Sequence, residues 1–153
     1  MKTKTIGLTL MISLASGAIC FASPHMGTWK LNEAKSKLAP GTDKNHTVVY
    51  AAVGDQVKVT VDGTNAQGKS THNEWTGKFD GKDYPVTGDP TFDTRSYKEA
   101  GENTLKMTVK KDGKVTITGK IVVSADGKGR TVTTSGKDAK GAKIDSTAVY
   151  DKE

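Results

Sequence analysis

The stretch Gln56 to Gly63, QVKVTVDG, sets Val57, Val59 and Val61 on one side of an extended chain and Lys58, Thr60 and Asp62 on the other. Successive side chains point to opposite faces only in a strand, so a period of two rules out a helix here and predicts a sheet with one apolar and one wet face. The same pattern returns in NTLKMTVKKDGKVTITGKIVVSADG, where Leu105, Met107 and Val109 alternate with Thr104, Lys106 and Thr108. Beyond Asp112-Gly113 it continues, with Val115, Ile117, Ile121 and Val123 against Thr116, Thr118 and Lys120. A two-residue hairpin turn needs positive φ at both central positions, which Asp and Gly tolerate best, so Asp112-Gly113 reads as a tight turn. Asp62-Gly63, Asp80-Gly81 and Asp126-Gly127 are read as turns in the same way.

Extended over the chain, the pattern predicts strands near residues 27–31, 46–53, 56–62, 70–79, 91–98, 103–110, 114–124, 129–135 and 142–150, with a short extra strand near 82–86. Only NEAKSKL, residues 32–38, reads as helical, one or two turns capped by Asn32 and stopped before Pro40. The resulting fold class is all-β, an antiparallel up-and-down meander barrel of eight to ten strands with one short helix near the N-terminus. The alternative is an open or flattened β-sandwich. The Thr-rich second face favours a curved sheet with one side in water, since two covered faces would demand continuous apolar runs.

Residues 1–22 carry Lys2 and Lys4 ahead of an apolar run from Ile6 to about Phe21 and end in small residues, the layout of a secretory signal peptide. The expected division is therefore a leader at 1–22 and one domain at 23–153, exported across the inner membrane to the periplasm or beyond, with no stable membrane anchor. Cys20 is the only cysteine, so the domain is expected to use no disulfide, thiol nucleophile or thiolate metal site. Without the two leader lysines, 21 basic residues face 17 acidic ones, a formal charge of about +4. The lysines sit singly or beside turns instead of gathering on one surface, which argues against nucleic acid as a partner and reads them as solubilising hairpin tips and strand edges.

The two ends of the domain carry a family resemblance. GTWKLN, Gly27 to Asn32, opens a string of hairpins that closes on STAVYDKE, Ser146 to Glu153. This arrangement resembles the calycin superfamily, the lipocalins and fatty-acid-binding proteins, and within it the small secreted lipocalin-like proteins of bacteria. In that group a Gly-x-Trp opens the first strand and its Trp plugs the closed end of the barrel, so the resemblance implies a structural role for Gly27 and Trp29. In the fatty-acid-binding proteins an Arg two residues before the final-strand Tyr clamps the ligand carboxylate, through paired charge-assisted hydrogen bonds. Tyr150 matches the Tyr, but Ala148 stands at the Arg position, so that clamp is half absent. The helical lid of that family also has no room in residues 32–45, which leaves a portal that is open or covered by loops and matches the lipocalins better.

Other motifs point elsewhere and are set aside on context. GTNAQGKS, Gly63 to Ser70, matches the phosphate-loop pattern, whose chemistry needs a helix N-terminus after the loop. The next residues, THNEWTGKF, alternate like a strand, so no nucleotide is expected there. His25, His46 and His72 are scattered; His72 and Glu74 share one strand face without a third ligand, so no metal is expected. Asp80 and Asp83 flank a turn and read as caps for backbone amides. Asn45-His46-Thr47 fits a glycosylation sequon, discounted because the leader looks bacterial. No cofactor and no catalytic residue is expected.

The candidate interior residues are the aromatics in phase with the apolar faces: Tyr50 with Val48, Trp75 with Phe79, and Tyr150 with Ile144. Phe92 and Tyr97 fall on opposite faces of a regular strand, so only one is expected inside, and Tyr97 is taken as the candidate. The expected function is a non-enzymatic carrier of a small apolar or amphipathic ligand, bound among Tyr50, Trp75, Tyr97 and Tyr150. The alternative is a filled barrel acting as a protein-interaction or envelope-assembly module, with its protein partner undefined.

Overall fold

The alternating stretches form ten antiparallel strands in a computed structural model that describes residues 23–137 and 141–153. The leader read over residues 1–22 lies outside the described residues. The strands are β1 (Gly27–Leu31), β2 (Lys44–Val53), β3 (Gln56–Thr64), β4 (Ser70–Gly77), β5 (Tyr84–Thr87), β6 (Thr94–Glu99), β7 (Thr104–Lys111), β8 (Lys114–Val123), β9 (Gly129–Lys137) and β10 (Lys143–Lys152). Each pairs with the next in sequence, and β1 pairs with both β2 and β10, so the sheet closes on itself and the sandwich alternative falls. Closure removes the sheet edges, so the lysines on these strands have no edge to blunt. The closing seam sets Trp29 opposite Val48 on one side and Lys152 on the other, with Leu31 opposite Tyr150.

Turn chemistry accounts for most hairpins. Asp112 and Gly113 take φ of 49° and 73°, the two positive values that the β7–β8 turn requires. Asp62-Gly63 is a correction: it lies inside β3, opposite the start of β2. There Asn45 pairs with Gly63 and Thr47 with Asp62, so His46 is an extra, bulged residue. A side chain at position 63 would overlap the Lys44 carbonyl oxygen, so glycine is required here by close backbone approach and not by a turn.

A second bulge corrects the face assigned to Val115. Val109 pairs with Ile117 while Lys110 pairs with Val115, leaving Thr116 extra, with its hydroxyl donating to the Val109 carbonyl at 3.2 Å. One extra residue shifts the phase of everything before it, so Val115 shares the outer face with Lys110 and is 56% exposed. The helix expected over 32–38 contracts to a single 3-10 turn, Glu33–Lys35, because Asn32 accepts from the Lys35 amide and Ser36 returns at once to extended backbone. At the weakest seam, β5 pairs at only two positions with β4 and two with β6.

The core fills one end of the barrel, where the chain enters and where the β2–β3, β4–β5 and β8–β9 connections lie. Trp29 and Leu105 are wholly buried there, and the Trp29 indole N–H donates to the His25 carbonyl at 2.9 Å. Trp75 is equally enclosed, its N–H donating to the Arg95 carbonyl at 2.7 Å. Phe79 lies beyond the end of β4 and folds back under the barrel, its ring 5.8 to 6.4 Å from those of His25, Tyr50, Trp75 and Tyr97. These aromatic contacts close the base.

Candidate ligand-binding site

Above the aromatic base the barrel is hollow. Small interior residues help leave the space: Gly136 on β9 and Ser146 and Ala148 on β10 line it, and a Cβ at Gly136 would already press on Ile117 and Ile144 of the neighbouring strands. The cavity has a volume of about 390 Å³ and runs from Tyr50, Tyr97 and Tyr150 up to the loops at residues 41–43 and 89–92. Its walls carry Met107, Val109, Ile117 and Ile121 from β7 and β8. Pockets that enclose a small ligand have volumes in the range of about 300 to 1,000 Å³, with mostly apolar walls and a few polar groups, and this one has that composition.

The polar groups are the ones that the alternation of strands hides. The chain contains only two arginines, Arg95 and Arg130, and both point inward and line the cavity. Arg95 precedes Tyr97 by two residues on β6, so the register that turns Tyr97 inward turns the guanidinium inward as well. Its N–H groups donate to the Asn73 side-chain oxygen at 3.2 Å and to the Tyr97 hydroxyl at 3.4 Å, while Nε has no partner among the described residues. Its face also lies 5.4 Å from the Phe92 ring centre.

Arg130 opens β9 directly opposite Tyr150 and Val123. Its guanidinium carbon sits 4.8 Å from the ring centre of Trp29, 4.9 Å from that of Tyr50 and 4.8 Å from that of Tyr150, an aromatic box around a cation, and its Nε and Nη1 have no acceptor among the described residues. Cation–π contacts of this kind contribute about 0.5 to 2 kcal/mol each, against a cost of several kcal/mol for taking an unpaired charge out of water. Among the described residues neither guanidinium has a carboxylate partner, so the interior carries uncompensated positive charge. The only acidic groups among the described residues that line the cavity are Asp43 and Asp89, both at the mouth. The Asp43 carboxyl is raised above its usual range by burial and then by Asp89, which places the two carboxylates within mutual repulsion.

The Tyr50 and Tyr150 hydroxyls stay protonated. Burial pushes the Tyr150 phenol up to about 12, Arg130 opposing. Burial, then Tyr97, raises Tyr50, with Arg130 and Arg95 both opposing the shift, so the Tyr50 hydroxyl lies within the field of both guanidiniums. Below it, His25 is lowered to about 4 by burial and by the charges of Arg130 and Lys152, which leaves a neutral imidazole in the base, both ring nitrogens without a partner among the described residues.

The residues expected inside are thus brought to different levels. Tyr50, Tyr97 and Tyr150 line the cavity, whereas Trp75 packs beneath it in the base and is not among the lining residues. Trp29 lies under Arg130 with Lys152 on its ring at 5.1 Å, and Gly27, at a φ of 109°, leaves room for that lysine chain, which a Cβ would meet at 2.9 Å. Phe92 joins Tyr97 in the lining, because β6 begins only at Thr94 and the regular strand that separated their faces does not reach residue 92. Arg95 and Arg130 went unseen in the sequence, and His25, noted there only as one of three scattered histidines, is buried. The signal available was that arginine occurs only twice and, both times, in phase with an apolar face, Tyr97 in one strand and Val132 in the other.

The remaining motifs lie outside this cavity. Gly63 to Ser70 spans the β3–β4 hairpin, where Asn65 accepts from the Gln67 and Lys69 amides and leads into a strand. His72 bonds Asp62 at 2.6 Å on the outer wall, which raises its pKa. Asp80 accepts from the Lys82 amide at 3.0 Å, a turn cap.

No protein-family model matches this chain, and neither does any curated protein. Among solved structures it is similar to EF1p2_mFAP2b bound to DFHBI, with 12% identity and a TM-score of 0.49 over 86% of this chain and 96% of that one. Lobster apocrustacyanin A1 is similar over 87% of this chain and 63% of its own, with 12% identity and a TM-score of 0.40. Apocrustacyanin C1 gives 12% identity and a TM-score of 0.40 over 86% and 62%. Likeness at this level concerns the path of the chain and not the chemistry of its interior.

Proposed function

We propose that this protein is an exported, non-enzymatic carrier that holds a small amphipathic molecule inside its barrel. The observation that carries the reading is the cavity of about 390 Å³ above a sealed aromatic base, walled by apolar side chains and furnished with three tyrosines and two arginines. A filled barrel serving only as an interaction module has no use for such a space, and an interior without ligand leaves two guanidiniums short of acceptors. The leader at residues 1–22 assigns the protein to the periplasm or the exterior in this reading. Native mass spectrometry of protein purified gently from its source tests it. The expected result is a released adduct of a few hundred daltons. A clean apo mass together with no response to a panel of lipids and aromatic probes would overturn it.

A further inference from the structure

We propose that the ligand is a dianion, an amphipathic acid whose two negative charges are taken up by Arg95 and Arg130 while its apolar body lies against Met107, Val109, Ile117 and Ile121. The inference rests on the carrier reading and names its ligand class. Both guanidiniums line the cavity at 6% and 3% exposure, and three of their nitrogens, Arg95 Nε and Arg130 Nε and Nη1, have no acceptor among the described residues. A single negative charge would leave one of these cations unpaired in a low-dielectric interior, where lone charge is least tolerated.

The surroundings select in the same direction. The groups nearest the cations are neutral donors or amides, Tyr50, Tyr97, Tyr150 and Asn73, which can bond an oxyanion and supply no charge of their own. At the mouth, Asp43 and Asp89 repel an acid group left near the entrance, so both charges of a bound ligand are driven inward. The clamp position at Ala148 is empty of charge, but Arg130 stands on the adjacent strand opposite Tyr150, and Arg95 approaches from the other wall. Two charges on one phosphate head and two on neighbouring carboxylates share this chemistry.

Isothermal titration of the folded chain at pH 8 with decyl phosphate, decylsuccinate, decanoate and decanol separates the outcomes. At least one dianion is expected to bind tenfold or more tightly than decanoate, and the better of the two tells a phosphate head from a dicarboxylate. Arg95→Met and Arg130→Met are each expected to abolish that preference while decanol still binds, which shows that the cavity has survived. Decanoate or decanol binding as tightly as both dianions would overturn the dianion reading and leave the carrier reading standing. So would variants that keep the wild-type preference. Failure of all four probes would sink both. The wild-type ratio alone decides the matter if a variant does not fold.

Discussion

At the scale of single residues, the base of the barrel concentrates the stability. Trp29 is wholly enclosed, holds the His25 carbonyl through its indole N–H and carries a cation on its ring from Arg130 and another from Lys152. Truncating so large a buried side chain removes its transfer energy and leaves a hole that β1 cannot collapse around, so Trp29→Ala is expected to lose about 3 to 5 kcal/mol in urea denaturation. His25 supplies a pH dependence. Its folded pKa, about 4, lies below the unfolded value of 6.5, so the unfolded chain binds more protons between these limits. Stability is therefore full above about pH 6.5 and falls as the pH drops towards 4, by up to about 3 kcal/mol. Replacing His25 with Leu should flatten this limb of the stability curve between pH 6.5 and 4, and an unchanged slope would mean that the imidazole is solvated. Trp29 stood out in the sequence through the resemblance of GTWKLN to the Gly-x-Trp that opens the first strand in calycins, but nothing in SPHM distinguishes a buried imidazole from a wet one.

At the scale of elements, most of the barrel was legible because a period of two is an unambiguous geometric statement when one face is buried and the other is wet. β3, β7 and the second half of β8 obey it residue by residue. Two of the failures share one cause: a bulge changes the phase without changing composition. Val115 sits on the outer face because Thr116 is extra, and Asp62-Gly63 mimics a turn because the bulge at His46 demands a glycine opposite it. β5 is the element that propensity marked only faintly, and the structure gives it the least support. It pairs at two positions on each side and contains Pro85, which has no N–H to donate. β9, in contrast, pairs along nearly its whole length with β8 and β10. Hydrogen–deuterium exchange should find the amides of β5 exchanging at least tenfold faster than those of β9, with opening of the barrel beginning at this seam. Equal protection in the two strands would place the weak seam elsewhere.

At the scale of the whole molecule, the barrel combines a stable base with an upper half that is not optimised for stability. The pattern of alternation encodes which side of each strand is inside, but it reads arginine as an outside residue, and so it hides the two groups that give the interior its character. Arg130 is the instructive one. Its charge is enclosed by Trp29, Tyr50 and Tyr150, and neither Nε nor Nη1 finds an acceptor among the described residues. The three rings recover part of the desolvation cost, but a long apolar side chain would keep the packing against them and bury no charge. Replacing buried charge with hydrophobic groups of similar volume is commonly neutral to stabilising by about 1 to 4 kcal/mol. Arg130→Met should therefore leave the ligand-free protein equally stable or about 1 kcal/mol more stable in urea denaturation at low salt. The same change should remove most of the stabilisation that a tightly binding dianion confers, which for the wild type is about 2.7 kcal/mol at a hundredfold excess over Kd. A ligand-free variant weaker by about 2 kcal/mol or more would make Arg130 a structural cation held by its aromatic box. An apo protein that tolerates or prefers methionine makes the arginine a residue kept for what it binds, at some expense to the fold that holds it.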